Sequence, residues 1–148
     1  MRTILFLLTF FISFSAFASD VKHPVIGNKE LMEQIKAHDT KTMVIFWAPW
    51  CPFCVRELKI IRDNPNFVKF NNLQIIGLNK NSDRHTSIRY AAKENLPFRF
   101  FTAKSEIYDK YQKIDAVPLT IVFSNEGKIL DLEYGKQDIE DLALMLED

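Results

Sequence analysis

Apolar positions along this chain recur with two different periods, and the changes of period mark its elements. Residues 28–38 place Leu31, Ile35 and Met32 on one helical face. Residues 42–47 are an almost continuous apolar run of strand length, the pattern of a central strand covered on both faces. From Cys54 to about Phe70 the period is helical again, with Val55, Leu58 and Ile61 inward, until Asn64-Pro65-Asn66 ends or kinks it. Residues 73–78 predict a second buried strand. Residues 82–95 predict a helix capped by Ser82, with Ile88, Ala91 and Ala92 inward, and the resulting βαβ crossover is expected to be right-handed. Residues 98–101 are a short extended piece and residues 105–112 a short helix. Residues 119–123 and 129–134 then form an antiparallel hairpin through Asn125-Glu126-Gly127. After the break at Gly135, residues 137–146 close the chain as a helix carrying Ile139, Leu142, Ala143 and Leu146.

The first residues follow neither period. Arg2 is a short positive region, Ile4 to Phe14 are apolar apart from Thr9 and Ser13, and Ala16-Phe17-Ala18 is an A-x-A cleavage signal. Residues 1–18 are therefore expected to be a signal peptide cut after Ala18. The apolar stretch of 11 residues falls short of the roughly 20 that a spanning helix needs, so retention as an anchor is the weaker alternative. What remains, residues 19–148, is one domain's worth of chain. Removing Arg2 from 19 basic and 19 acidic residues leaves 18 against 19, a net charge of −1, and nothing marks this domain for nucleic acid or an anionic membrane face.

The chemistry sits in Trp47-Ala48-Pro49-Trp50-Cys51-Pro52-Phe53-Cys54, directly after the first core strand, which holds both of the chain's cysteines. Three residues apart, the two sulfurs meet only if the backbone turns as the first turn of a helix does, and so tight a ring favours exchange. Two blander readings compete. A structural disulfide is permitted in an exported protein, but closing so short a loop removes little unfolded-chain entropy. A zinc site needs four ligands, and His23, His38 and His85 stand at no ligand spacing. No metal and no cofactor is called for.

These residues carry a resemblance. Trp47-Ala48-x-Trp50-Cys51-x-x-Cys54 after the first strand, Ala116-Val117-Pro118-Leu119-Thr120 opening the hairpin, and the strand–turn–strand–helix ending together resemble the thioredoxin fold. More narrowly they resemble exported thiol–disulfide oxidoreductases of the TlpA/ResA type. The resemblance spans about residues 28–148. It implies an α/β thioredoxin fold, a central mixed sheet flanked by helices, with Val117-Pro118 as a cis peptide facing the dithiol.

It also assigns roles. Cys51, at the head of the helix, is the expected attacking sulfur, because unpaired N–H groups and the helix dipole favour its thiolate. Pro52 suits the first helical position. Cys54, one turn in, resolves the mixed disulfide. Glu57 lies on the same side of that helix as Cys54, and in some relatives of this type a glutamate at that offset assists proton transfer. Ordinary thioredoxins instead carry an acid where this chain has Ile45. Glu57 reads equally well as a solvated helix residue. Trp50, with Phe53, and the backbone of Val117 beside Pro118 are candidates for substrate docking, whereas Trp47 and Phe98-Arg99-Phe100-Phe101 are expected to pack.

The expected partners are protein thiols and disulfides and a membrane-bound redox donor. With no added dimerisation domain, the chain is expected to be a monomer. Proline follows the first cysteine here, as in glutaredoxins and DsbA-type oxidants, instead of preceding the second. The reductant reading therefore stands against an oxidase or isomerase, and against a non-catalytic docking module.

Overall fold

The computed structural model describes residues 23–147. The predicted leader, residues 1–18 with its cut after Ala18, lies outside these described residues. The elements are β1 (Val25–Ile26), α1 (Asn28–Lys36), β2 (Lys41–Phe46), α2 (Pro52–Asp63), α3 (Pro65–Phe70), β3 (Leu73–Lys80), α4 (Arg84–Lys93), β4 (Arg99–Ala103), α5 (Ser105–Tyr111), β5 (Leu119–Phe123), β6 (Ile129–Tyr134) and α6 (Ile139–Leu144). They build one six-stranded sheet in the order β1-β4-β3-β2-β5-β6. β1, β4, β3 and β2 pair in parallel, whereas β5 is antiparallel to both β2 and β6.

Alternation along the strands divides the core in two. Met43, Ile45 and Trp47 face one layer with Ile75 and Val122, and there they meet Cys54, Leu58 and Ile61 of α2, Ala91 of α4 and Leu142 of α6. Val44 and Phe46 face the other layer with Ile76, Leu78 and Ile121, under Leu31 and Ile35 of α1 and Ile107 of α5. The connections explain this distribution. From β2 to β3 to β4 the chain steps along the sheet in one direction, so right-handed crossovers put α2 and α4 on one face. From β1 to β2 it steps back, and the same handedness puts α1 on the opposite face. The mixed sheet flanked by helices agrees with the expected architecture, and β2 is the doubly covered central strand that its pattern predicts.

Several boundaries differ, each for a physical reason. The first strand, β1, is too short at two residues to show a period; it is pinned by Thr102 N–H donating to Pro24 O at 2.8 Å and Lys104 N–H to Ile26 O at 2.9 Å. His23 beside it pairs through Nδ1 with Asn79 Oδ1 at 2.8 Å and stacks on Phe100. The break at Asn64 is a true end, with Pro65 starting a separate α3. Ser82 caps nothing: it lies in a 3-10 turn spanning Asn81–Asp83 before α4. Ser87 and Ala91, four apart, form the buried line of α4, while Ala92 points to solvent. At the end of the chain, Asp138 caps α6 by accepting from Asp141 N–H, which starts that helix later than its apolar spacing predicts. Leu142 is its buried residue, with Met145 buried at its C-cap, and Ala143 is exposed.

Phe100 reaches the centre of the sheet because its partner across β3 is Gly77. A Cβ there would lie 2.4 Å from the Phe100 ring and 3.1 Å from Trp47 Nε1. Without it, the rings of Trp47 and Phe100 pack with centroids 5.4 Å apart, directly below the cysteine loop. Gly77→Ala is therefore expected to destabilise the fold by about 2 kcal/mol, the cost of overpacking a closed core. Denaturant unfolding checks this, and an unchanged midpoint would show that the rings move aside freely.

Candidate active site: the Cys51–Cys54 disulfide

β2 delivers the chain to the site. Trp47 N–H donates to Leu78 O at 2.9 Å, which extends the pairing one residue past the strand; Ala48 O then accepts from Cys51 N–H at 3.1 Å and turns the backbone into α2. Cys51 is the N-cap of that helix, with extended backbone, and its Sγ accepts from Cys54 N–H at 3.2 Å. Pro52 occupies the first turn, which holds no acidic residue. The two sulfurs are joined in a disulfide across Cα atoms 5.3 Å apart. Cys51 keeps 4% of its surface and Cys54 none, so approach is to Cys51. An anionic sulfur at this position would meet the positive end of the helix and a backbone N–H.

The other side of the site is the start of β5. The Val117-Pro118 peptide is cis, and Val117 O lies 3.6 Å from Cys51 Sγ. Pro118 O is held by Gly135 N–H at 2.9 Å, and the preceding turn by Gln112 Nε2 donating to Ala116 O at 2.6 Å. Around this mouth Trp50 is 69% and Phe53 57% exposed, whereas Trp47 is buried against Phe100 and Tyr90. Trp50 is not loose: its Nε1–H donates to Asp83 Oδ1 at 3.2 Å.

Glu57 is not a solvated helix residue. It has no exposed surface, and two donors meet it: the Thr120 hydroxyl at Oε1, 2.5 Å away, and Gln137 N–H at Oε2, 3.0 Å away. The first comes from β5, two residues past Pro118, and the second from the turn into α6. Burial pushes the Glu57 carboxyl up to about 7, against the pull of those two hydrogen bonds and of Lys136. The structure thus brings together Cys51, Cys54, Val117 and Pro118, with Glu57 one helical turn below Cys54 and Trp50 and Phe53 at the rim. Sequence reasoning missed Asp83, Thr120 and Gln137, the residues that hold Trp50 and Glu57. For Thr120 a signal existed, a hydroxyl in an otherwise apolar buried strand. Among the described residues, no group of three or more histidine, cysteine or acidic side chains is placed to hold a metal ion.

Residues 29–148 match the family model described as a thioredoxin-like domain. The chain belongs to the thioredoxin-like family. Among curated proteins this thioredoxin-like chain is 23% identical over 141 residues to sporulation thiol-disulfide oxidoreductase A of Bacillus subtilis, covering 88% of this chain and 85% of that one. It is 29% identical over 91 residues to thiol-disulfide oxidoreductase ResA of Halalkalibacterium halodurans, covering 61% of this chain and about half, 51%, of that protein. The crystal structure of StoA from Bacillus subtilis superposes with a TM-score of 0.63 at 23% identity, over 74% of this chain and 84% of that one. The exposed lipoprotein thioredoxin of Streptococcus pneumoniae gives 0.64 at 14% identity, over 78% and 87%. At such identities the structural likeness speaks to the fold. Family, named relatives and the Cys51–Cys54 pair together make this a thiol–disulfide oxidoreductase of the StoA/ResA type.

The raised Glu57 carboxyl has a consequence for stability. Between pH 4.5 and about 7 the unfolded chain releases this proton before the folded protein does, so stability falls as pH rises through that window. Glutamine mimics the protonated form: its amide can donate to Thr120 Oγ1 while its oxygen accepts from Gln137 N–H. Relative to Glu57→Gln, the wild type is expected to lose about 3 kcal/mol from pH 5 to pH 8, measured by denaturant unfolding. Parallel profiles for the two proteins would mean that Glu57 is ionised throughout.

Proposed function

We propose that this protein is an exported reductant of protein disulfides. The observation that carries the reading is Cys51 as the N-cap of α2, its sulfur against Cys54 N–H and Val117 O, with exposed Trp50 and Phe53 at the mouth. In the reduced protein the Cys51 thiolate attacks one sulfur of a substrate disulfide, and the other substrate sulfur leaves as a thiolate and takes up a proton. Glu57, titrating near neutrality, accepts the proton of Cys54. The Cys54 thiolate then attacks Cys51 Sγ and expels the second substrate sulfur. Two electrons have passed to the substrate and the protein holds its disulfide, which a membrane-bound donor reduces again. Trp50 and Phe53 supply apolar docking area, and the Val117 backbone beside Pro118 aligns the substrate as an extended strand.

Export rests on the leader-like residues 1–18, and the redox direction on the StoA/ResA type of the relatives. One feature favours an oxidant instead: the dipeptide Pro52-Phe53 between the cysteines, with proline after the first, since these two residues tune how well the reduced Cys51 thiolate is stabilised. The equilibrium reduction potential of the pair against glutathione decides between them. A reductant is expected near or below the roughly −270 mV of thioredoxin, whereas a value near the −120 mV or so of DsbA would make the protein an oxidant of exported chains.

A further inference from the structure

A cavity of about 310 Å³ opens beside the disulfide and plays no part in the exchange chemistry. Its near wall is Trp47, Ala48 and Val117, and Val117 is the residue whose carbonyl lies 3.6 Å from Cys51 Sγ. Neighbouring residues of an extended chain are spaced by about 3.5 Å, so the first or second residue beside a cysteine bound to Cys51 falls at this opening.

The far wall is charged. Asp83, Asp115 and Lys80 line it, two carboxylates against one ammonium. The ammonium is already engaged: Lys80 Nζ lies 2.6 Å from Asp115 Oδ1 and 5.4 Å from the centre of the Tyr108 ring. Asp83 uses Oδ1 to hold Trp50, so the charge left for a ligand is negative. The Tyr108 hydroxyl, buried in the same lining, meets no hydrogen-bond partner in the protein. Burial raises its pKa first and the negative fields of Asp83 and Asp115 raise it further, so it stays a neutral hydroxyl facing two carboxylates. Beyond Tyr108, a second recess of about 310 Å³ has Asp109 and the same Lys80 as its charged lining. Free acceptor oxygens, a spare hydroxyl and the exposed indole of Trp50 suit one class of side chain, a cation that can donate several hydrogen bonds and lie against aromatic surface.

We propose that this cavity is a specificity subsite for a basic side chain, arginine or lysine, one or two residues from the substrate cysteine that exchanges with Cys51. The inference rests on the reading that Cys51 attacks protein disulfides, and the test separates the two. Cys54→Ser leaves Cys51 as the one thiol. It is mixed with peptides in which a single cysteine, flanked on both sides by arginine, alanine or glutamate, is joined by a disulfide to thionitrobenzoate. The Cys51 thiolate attacks the peptide sulfur, a Cys51–peptide disulfide forms, and coloured thionitrobenzoate leaves with the electron pair of the broken bond. Each rate is divided by that of the same peptide with mercaptoethanol, which removes the peptide's intrinsic reactivity.

At low ionic strength the arginine peptide is expected to react about ten-fold faster than the glutamate peptide, and adding Asp115→Asn should bring that ratio most of the way to one. Equal normalised rates for all three peptides, or a preference that survives Asp115→Asn unchanged, would overturn the subsite and leave disulfide exchange standing. No peptide transfer to Cys51 beyond the free-thiol rate would overturn the exchange reading, and the subsite with it.

Discussion

Cys51 holds two positions at once: it is the residue that starts α2 and the sulfur that a partner can reach. As N-cap it accepts Cys54 N–H at 3.2 Å, so the group that satisfies the helix end is the group that would carry negative charge once reduced. The rest of the molecule serves to keep that coincidence in place. β2 is buried from Thr42 to Phe46, and Trp47 just past it still pairs through its N–H with Leu78 O, leaving only Ala48, Pro49 and Trp50 before the helix cap. Gly77 lets Phe100 close the space beneath Trp47. A shift in any of these would move the sulfur away from the Val117 carbonyl.

Glu57 shows the same economy one turn deeper. A carboxyl without exposed surface is costly when ionised, and the Thr120 hydroxyl and Gln137 N–H offset only part of that cost. The result is an acid that titrates near neutrality where an exposed glutamate would not. Its partners come from β5 and from the turn into α6, so three elements separated in sequence meet at one side chain below Cys54. A purely structural role would be filled as well by an uncharged residue. A titrating one is suited to moving a proton at Cys54, one turn above it.

Much of this was legible from residue order alone. β2, β3 and the β5–β6 hairpin follow from apolar runs and turn residues, and the dithiol and Pro118 from short motifs. What the pattern hid depends on tertiary contact. β1 is two residues long and exists because β4 pairs with it. Ser82 has the chemistry of a cap, but the chain forms a 3-10 turn there first. Asp138 and Asp141 cap each other and so start α6 later than its apolar spacing predicts. Glu57 was ambiguous because the residues that bury and bind it, Thr120 and Gln137, are more than 60 positions away. The cavity beside Trp50 was invisible for the same reason, since its lining comes from four separate stretches of chain.

The account stands on the claim that α2 makes Cys51, and not Cys54, the reactive sulfur. The most direct measurement is the rate of iodoacetamide alkylation of the fully reduced protein from pH 4 to pH 10, with each cysteine followed by peptide mass spectrometry. Cys51 is predicted to react with an apparent pKa well below the roughly 8.5 of a free thiol, while Cys54 stays unmodified at neutral pH. A Cys51 that titrates at or above that value, or a Cys54 alkylated as fast, would contradict it.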